Sequence, residues 1–341
     1  MNKKNIIWIN NIKALAIIAV YLIHVQTIYG YSIGLLKGLI SPWYVNAFFF
    51  VSGYLIYRKQ LTQPLIDQNR FEYIMGGGKI SILNIFYRII IPSVFFACIE
   101  YIPSCLIQGR ELSLTNFLFK TVGGGTYWFT SALVIAEIIT ILLLVSRKKE
   151  LIFYFLISLL IGSVGIVMQH GLFANEIWAY HRGIIAVMFL AFGGLYWKYE
   201  SIINVSLKWY SLIFLAVIYI FIVFLSPENF SLISILTLQP LGVISAIIAI
   251  VLLIKGCKYL PENNVMSFLG QNTLMFYFLS GALPIILSVL AHKLICGTYF
   301  VVMLIVLFLS LLFAFFITFI LNKFAPWCFD LRKIAKPLSN V

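Results

Sequence analysis

The sequence predicts an all-α polytopic membrane protein, a bundle of about ten spanning helices with both termini in the cytoplasm. Three observations predict it. Of 341 residues, 62% are hydrophobic and only 10% charged, with a mean hydropathy of +1.03. A soluble chain of this length is close to half apolar and about a quarter charged. Apolar windows long enough to span recur along the whole chain. Eighteen of the 24 basic residues also fall on one side of the windows.

The windows lie near 7–29, 40–57, 84–106, 127–146, 151–170, 180–197, 208–226, 234–254, 266–291 and 298–323. Connections are short except for 58–83, which holds RKQ, DQNR and MGGGK and reads as an aqueous loop. The start, MNKKNIIWINNIK, has a signal-like charge but no small-residue cleavage site after its apolar run, so it reads as an uncleaved span. No internal repeat of helix pairs is visible, which weakens a transporter built on inverted repeats. Residues 1–341 read as one transmembrane domain with no appended soluble domain.

Lys and Arg number 24 against 11 Asp and Glu, for a net charge of +13. Eighteen of those cations fall on one side of the predicted spans and five on the other, with Lys13 inside the first. That asymmetry sets the richer side, and both termini, in the cytoplasm. The expected location is a multi-pass inner (cytoplasmic) membrane of prokaryotic type. No basic segment is long enough to form a nucleic-acid-binding domain. Cysteines 98, 105, 257, 296 and 328 form no CxxC pair and no metal spacing, and read as small apolar fillers. No metal site and no bound cofactor are expected.

The first span contains KALAIIAVYLIH, with Lys13 and His24 eleven residues apart. At about 100° per residue they lie only about 20° apart around the helix, separated by roughly 16 Å of rise. Lys13 faces the cytoplasmic half and His24 the outer half, and Asn10, Tyr21 and Thr27 extend the stripe. A charged lysine in lipid costs something like 2.5–3.5 kcal/mol, so the stripe belongs against the bundle interior or a water-filled cavity. Two readings fit. Lys13 snorkels to the headgroups and His24 is a satisfied interior group, or the pair works, the lysine holding phosphate and the histidine taking a proton from a hydroxyl.

A basic residue, ten others and then histidine in the first span resembles the RX10H motif of membrane acyltransferase family 3. Further stretches resemble that family in order: AFFFVSGYLIYRK closing the second span, NIFYRIIIPSVF opening the third, and GGGTYWFTSALV entering the fourth. HRGIIAVMFLAFGGLYWK in the sixth and FLGQNTLMFYFLSG in the ninth continue the series. The resemblance covers residues 10 to about 281. It implies transfer of an acyl group, commonly acetyl, from cytoplasmic acyl-CoA to sugars that end up outside the membrane. Two positions depart from the family's larger O-acyltransferases. A glutamate five residues after the fourth-span tryptophan is replaced by Leu133, with Glu137 one turn further in, and the histidine closing the ninth-span pattern is replaced by Ser280. These departures point to the smaller subgroup that modifies polysaccharides.

The resemblance and the chemistry together nominate a site. Lys13 and Arg88 are expected to hold the CoA phosphates, and His24 to act as general base on an acceptor hydroxyl. Arg182 or Tyr127 is expected to stabilise the tetrahedral oxyanion. Glu137, inside the fourth span, either orients His24 or pairs with Lys13 or an arginine. Glu100, His170 and His292 read as interfacial, and His181 with Arg182 as either an interfacial anchor or a sugar contact. GGGK at 76–79 lacks Walker spacing and reads as a flexible turn, although Arg70 and Lys79 share the cytoplasmic face with Arg88. GGG at 123–125 reads as a loop that lets Tyr127 and Trp128 dock. The expected partners are acyl-CoA as co-substrate, a glycan or glycolipid acceptor, and the bilayer, with no nucleic acid. The competing expectations are a proton-coupled transporter or flippase of a glycan or lipid, and a non-catalytic scaffold.

Overall fold

The computed structural model describes residues 7–30, 34–62, 82–109, 111–145, 150–169, 177–225, 232–294 and 299–331. Among them there are helices and turns and no strand. Seven helices are long and apolar enough to cross a membrane: those over Ile7–Tyr29, Ile82–Ile107, Leu151–Gln169, Ile177–Ser206, Leu241–Tyr259, Thr273–Ala291 and Phe300–Phe324. Trp128–Leu144 and Trp209–Leu225 are shorter apolar helices. The chain is an all-α polytopic membrane bundle. Its helices cluster into two compact units, one of Met1–Phe48 with Leu207–Phe324, the other of Phe49–Ser206 with Ala325–Val341.

In the first unit the opening helix Ile7–Tyr29 is the hub, touching Leu232–Tyr259, Asn264–Gln271, Thr273–Leu294 and Tyr299–Phe324. Its Ala14, Ile17 and Tyr21 pack with Leu269, Phe276 and Ala314. One end is closed by Val25 against Ala291, Met303 and Val306. The single apolar window at 266–291 is in fact two helices. Asn263 caps the first through its side-chain oxygen, accepting from the amides of Val265 and Met266. Asn272 then separates Asn264–Gln271 from Thr273–Leu294. Its amide donates to the Phe268 carbonyl and its oxygen accepts from Asn322 at 2.8 Å. Hydropathy alone cannot show that break, because the apolar run continues through it. Gly270 is required here, since a Cβ would overlap the Asn10 backbone.

In the second unit the helix Asn46–Thr62, from Phe49 onward, lies against Tyr180–Ser206. A Cβ on Gly53 would overlap the Leu190 backbone, so the SG step of the second-span signature is a contact between helix backbones. Gly53→Ala is therefore expected to cost at least 1–3 kcal/mol, the usual size of an overpacking penalty. A lowered thermal midpoint in detergent would register it, and an unchanged midpoint would deny the contact. Tyr180–Ser206 also packs on Leu151–Gln169 and Trp128–Val145. It runs past the expected 197 to Ser206, with a kink at Tyr199.

The third window opens as Ile82–Ile85, passes through a π-helical turn at Phe86–Ile90 and continues as Ile91–Gln108. Pro92 explains the turn. It has no N–H to give the carbonyl of Arg88 four residues back, and the ladder shifts so that Ile91 N–H bonds to Phe86 O. Two further differences are local. The second helix begins at Asn46 rather than near 40, after a short separate helix over Gly34–Ile40. A helix over Leu114–Lys120, capped by Ser113, occupies what the sequence presents as a loop.

Candidate functional site

His24 and Tyr21 are both tied to the helix Thr273–Leu294. Tyr21 donates its hydroxyl to the Phe276 carbonyl at 2.9 Å, and His24 Nδ1 meets the Ser280 carbonyl at 2.7 Å, one turn further along. The second bond has a sequence cause. In a regular helix the Ser280 carbonyl would accept from residue 284, but that residue is Pro284, which has no N–H. The orphaned carbonyl accepts from the histidine instead. A carbonyl can only accept, so the neutral ring carries its proton on Nδ1 and leaves Nε2 as a lone-pair nitrogen. His24 is thereby held in the tautomer a general base needs, by a backbone carbonyl rather than a carboxylate. Lys13 is half-buried on the same helix, within the regular segment that sets it about 20° and roughly 16 Å from His24.

The remaining nominated residues lie in the second unit, and the structure sorts them into three pairs. Arg88, in the π turn, forms an ion pair with Glu137 at 3.2 Å. The Glu137 side chain is 3% exposed and that of Arg88 48%, so the carboxylate is sealed in while much of the guanidinium faces outward. The Ser52 hydroxyl hydrogen-bonds the same carboxylate, and the Lys59 ammonium attracts it. Of the partners open to Glu137, the structure selects an arginine. A guanidinium has five donors, so one can be committed to Glu137 while others meet an anion.

Tyr127 is buried and donates its hydroxyl to Glu100 at 2.6 Å. Glu100 is thus a partnered carboxylate, and Tyr127 has already spent the hydrogen an oxyanion would need. Arg182 stacks its guanidinium over the Trp128 ring at 4.3 Å, a cation–π contact made from an exposed position. His181 beside it is buried. His170, Arg70, Lys79, the 76–79 turn and Cys296 lie outside the described residues, as does the side chain of His292. The GGG loop at 123–125 does precede the docked Tyr127 and Trp128, with Gly124 at φ 74°.

Sequence reasoning missed two contributors. One is the Ser280 carbonyl, for which Pro284 four residues on was the available signal. The other is the Tyr127–Glu100 hydrogen bond, which joins residues 27 apart with the helix Leu114–Lys120 between them.

A family described as an acyltransferase domain matches residues 6–321, a span that takes in Lys13, His24, Arg88, Glu137 and parts of both units. No curated protein and no solved structure matches the chain.

Proposed function

The chain belongs to membrane acyltransferase family 3, and from that premise we propose that it carries an acyl group, acetyl in the simplest case, from cytoplasmic acyl-CoA to a hydroxyl of a cell-surface or exported glycan. The observation that carries the proposal is the 2.7 Å contact of His24 Nδ1 with the Ser280 carbonyl, from which the tautomer with Nε2 unprotonated follows. Nε2 takes the proton as the acceptor oxygen attacks the thioester carbonyl. The tetrahedral intermediate then collapses, the C–S bond breaks, and the proton passes to the leaving thiolate. An ester and free CoA-SH result, with no other reactant required.

Lys13 and Arg88 hold the phosphates of CoA, Lys13 as a point charge and Arg88 through donors left over from Glu137. Glu137 positions Arg88 in this reading. The roughly 16 Å between Lys13 and His24 is comparable with the pantetheine arm, so the thioester reaches the base while the nucleotide stays at the membrane face. Arg182, with several N–H donors on one exposed guanidinium, is the better of the two candidates for the oxyanion. The eighteen-to-five cation bias supports cytoplasmic termini, and we place the chain in the inner membrane.

Membranes containing the protein, supplied with acyl-labelled acetyl-CoA, are expected to place label on glycan. A flippase predicts glycolipid movement without any acyl donor, and that result would replace the reading. In the same assay Lys13→Ala is expected to raise the KM for acyl-CoA about tenfold with a smaller change in kcat. An unchanged KM removes Lys13 from donor binding.

A further inference from the structure

Between Ile91–Gln108 and the start of Trp128–Val145 there is a cavity of about 20 Å³, room for one water-sized group. Ser93, Lys120, Tyr127, Thr130, Ser131 and Trp178 are among its lining residues. The four hydroxyls in that set have something in common. Ser93 gives its hydrogen to the Ile89 carbonyl at 2.7 Å. Thr130 and Ser131 give theirs to the Tyr127 carbonyl at 2.8 and 3.4 Å. Tyr127 gives its own to Glu100 at 2.6 Å. A hydroxyl has one hydrogen to give. What these four offer a ligand is therefore oxygen lone pairs.

These four oxygens select a ligand with a hydrogen to give, which a fully deprotonated anion lacks even though the Lys120 ammonium attracts its charge. A cationic amine is disfavoured too, because the Lys120 ammonium already lines the cavity and attracts Glu100 behind Tyr127. A neutral hydroxyl satisfies both sides: its hydrogen meets a lone pair, and its oxygen accepts from Lys120. The wall itself is strained. Trp178 and Ala179 stand at φ 66° and 45°, costly for residues with a side chain, at about 1–3 kcal/mol each. Trp178 is held there by its backbone N–H on Gly123 O at 2.8 Å and its indole N–H on Val122 O at 2.9 Å. Strain kept on a cavity wall, beside a ring of the kind that packs on a pyranose, is the pattern of a binding site rather than of a filled core.

We propose that this cavity is an acceptor subsite that holds one hydroxyl of a neutral, polyhydroxylated glycan, with Tyr127 and Thr130 accepting from it and Trp178 beside the sugar ring. The assignment of the glycan as acceptor rests on the acyl-transfer reading above; the donor-selecting chemistry of the cavity does not.

The test uses the full chain in nanodiscs, with glycan isolated from cells lacking the gene as the probe. Tyr127→Phe and the near-isosteric Thr130→Val are compared with the unaltered protein. Each variant is expected to raise the acceptor KM about tenfold and leave the acyl-CoA KM unchanged. Glycan quenching of tryptophan fluorescence, read without acyl-CoA, is expected to weaken in parallel. If acceptor KM and quenching are both unchanged, the subsite is wrong. It is equally wrong if the variants lower only the thermal midpoint, for then the cavity holds a structural water. If the unaltered protein transfers no label but its quenching is lost in the variants, acyl transfer falls and the subsite stands.

Discussion

Replacing His24 by alanine is expected to lower kcat for acyl transfer by about 10²- to 10⁴-fold, the range a positioned general base supplies. The KM for acyl-CoA should change little if, as proposed, Lys13 and Arg88 rather than His24 hold the donor's phosphates. The expectation is sharper than for an arbitrary intramembrane histidine, since the Ser280 carbonyl at 2.7 Å fixes which nitrogen is free. His24→Gln keeps a donor for that carbonyl but has no basic nitrogen, so it should be as inactive as His24→Ala while folding normally. Pro284→Ala provides the converse test. It restores an N–H that competes for the Ser280 carbonyl, and should reduce kcat by a smaller factor without touching His24. Near-normal acylation by His24→Ala membranes would remove the residue from the chemistry.

Arg88→Met is expected to act on both stability and donor affinity. It leaves the Glu137 carboxylate, 3% exposed, without its 3.2 Å partner. Breaking a fully buried pair costs about 3–5 kcal/mol; with one partner half in solvent, a loss of about 1–3 kcal/mol is the better expectation. The KM for acyl-CoA should rise about tenfold at the same time. The double variant Arg88→Met, Glu137→Gln separates the two effects. Removing the stranded charge should return most of the thermal stability while the KM stays high. If the double variant recovers both, Arg88 is structural only. If Glu137→Gln alone abolishes turnover at an unchanged donor KM, the carboxylate acts in the reaction and not through Arg88.

The sequence carried the fold class and the face of the opening helix, because both depend on local regularities: mean hydropathy, and about 100° per residue. It left Glu137 open between orienting His24 and pairing with Lys13 or an arginine, since the ion pair joins residues 49 apart and periodicity says nothing of such distances. It also merged Asn264–Gln271 with Thr273–Leu294, because a break made by Asn272 and its bond to Asn322 leaves hydropathy unchanged. Pro92 is plain in the sequence, but the π turn that places Arg88 follows only once its missing amide hydrogen bond is counted. Pro284 held the same kind of information for His24, and its value appears only when a helix 256 residues away is seen to supply the donor.

The central claim is that this chain adds an acyl group to an exported glycan, with His24 as the base. Mass spectrometry of cell-surface glycans tests it most directly, comparing cells with the gene, without it, and with the His24→Ala form. The account predicts glycan species heavier by one acyl group in the first sample and absent from the other two. Identical glycan masses in all three, or acylated glycan persisting in the His24→Ala cells, would contradict it.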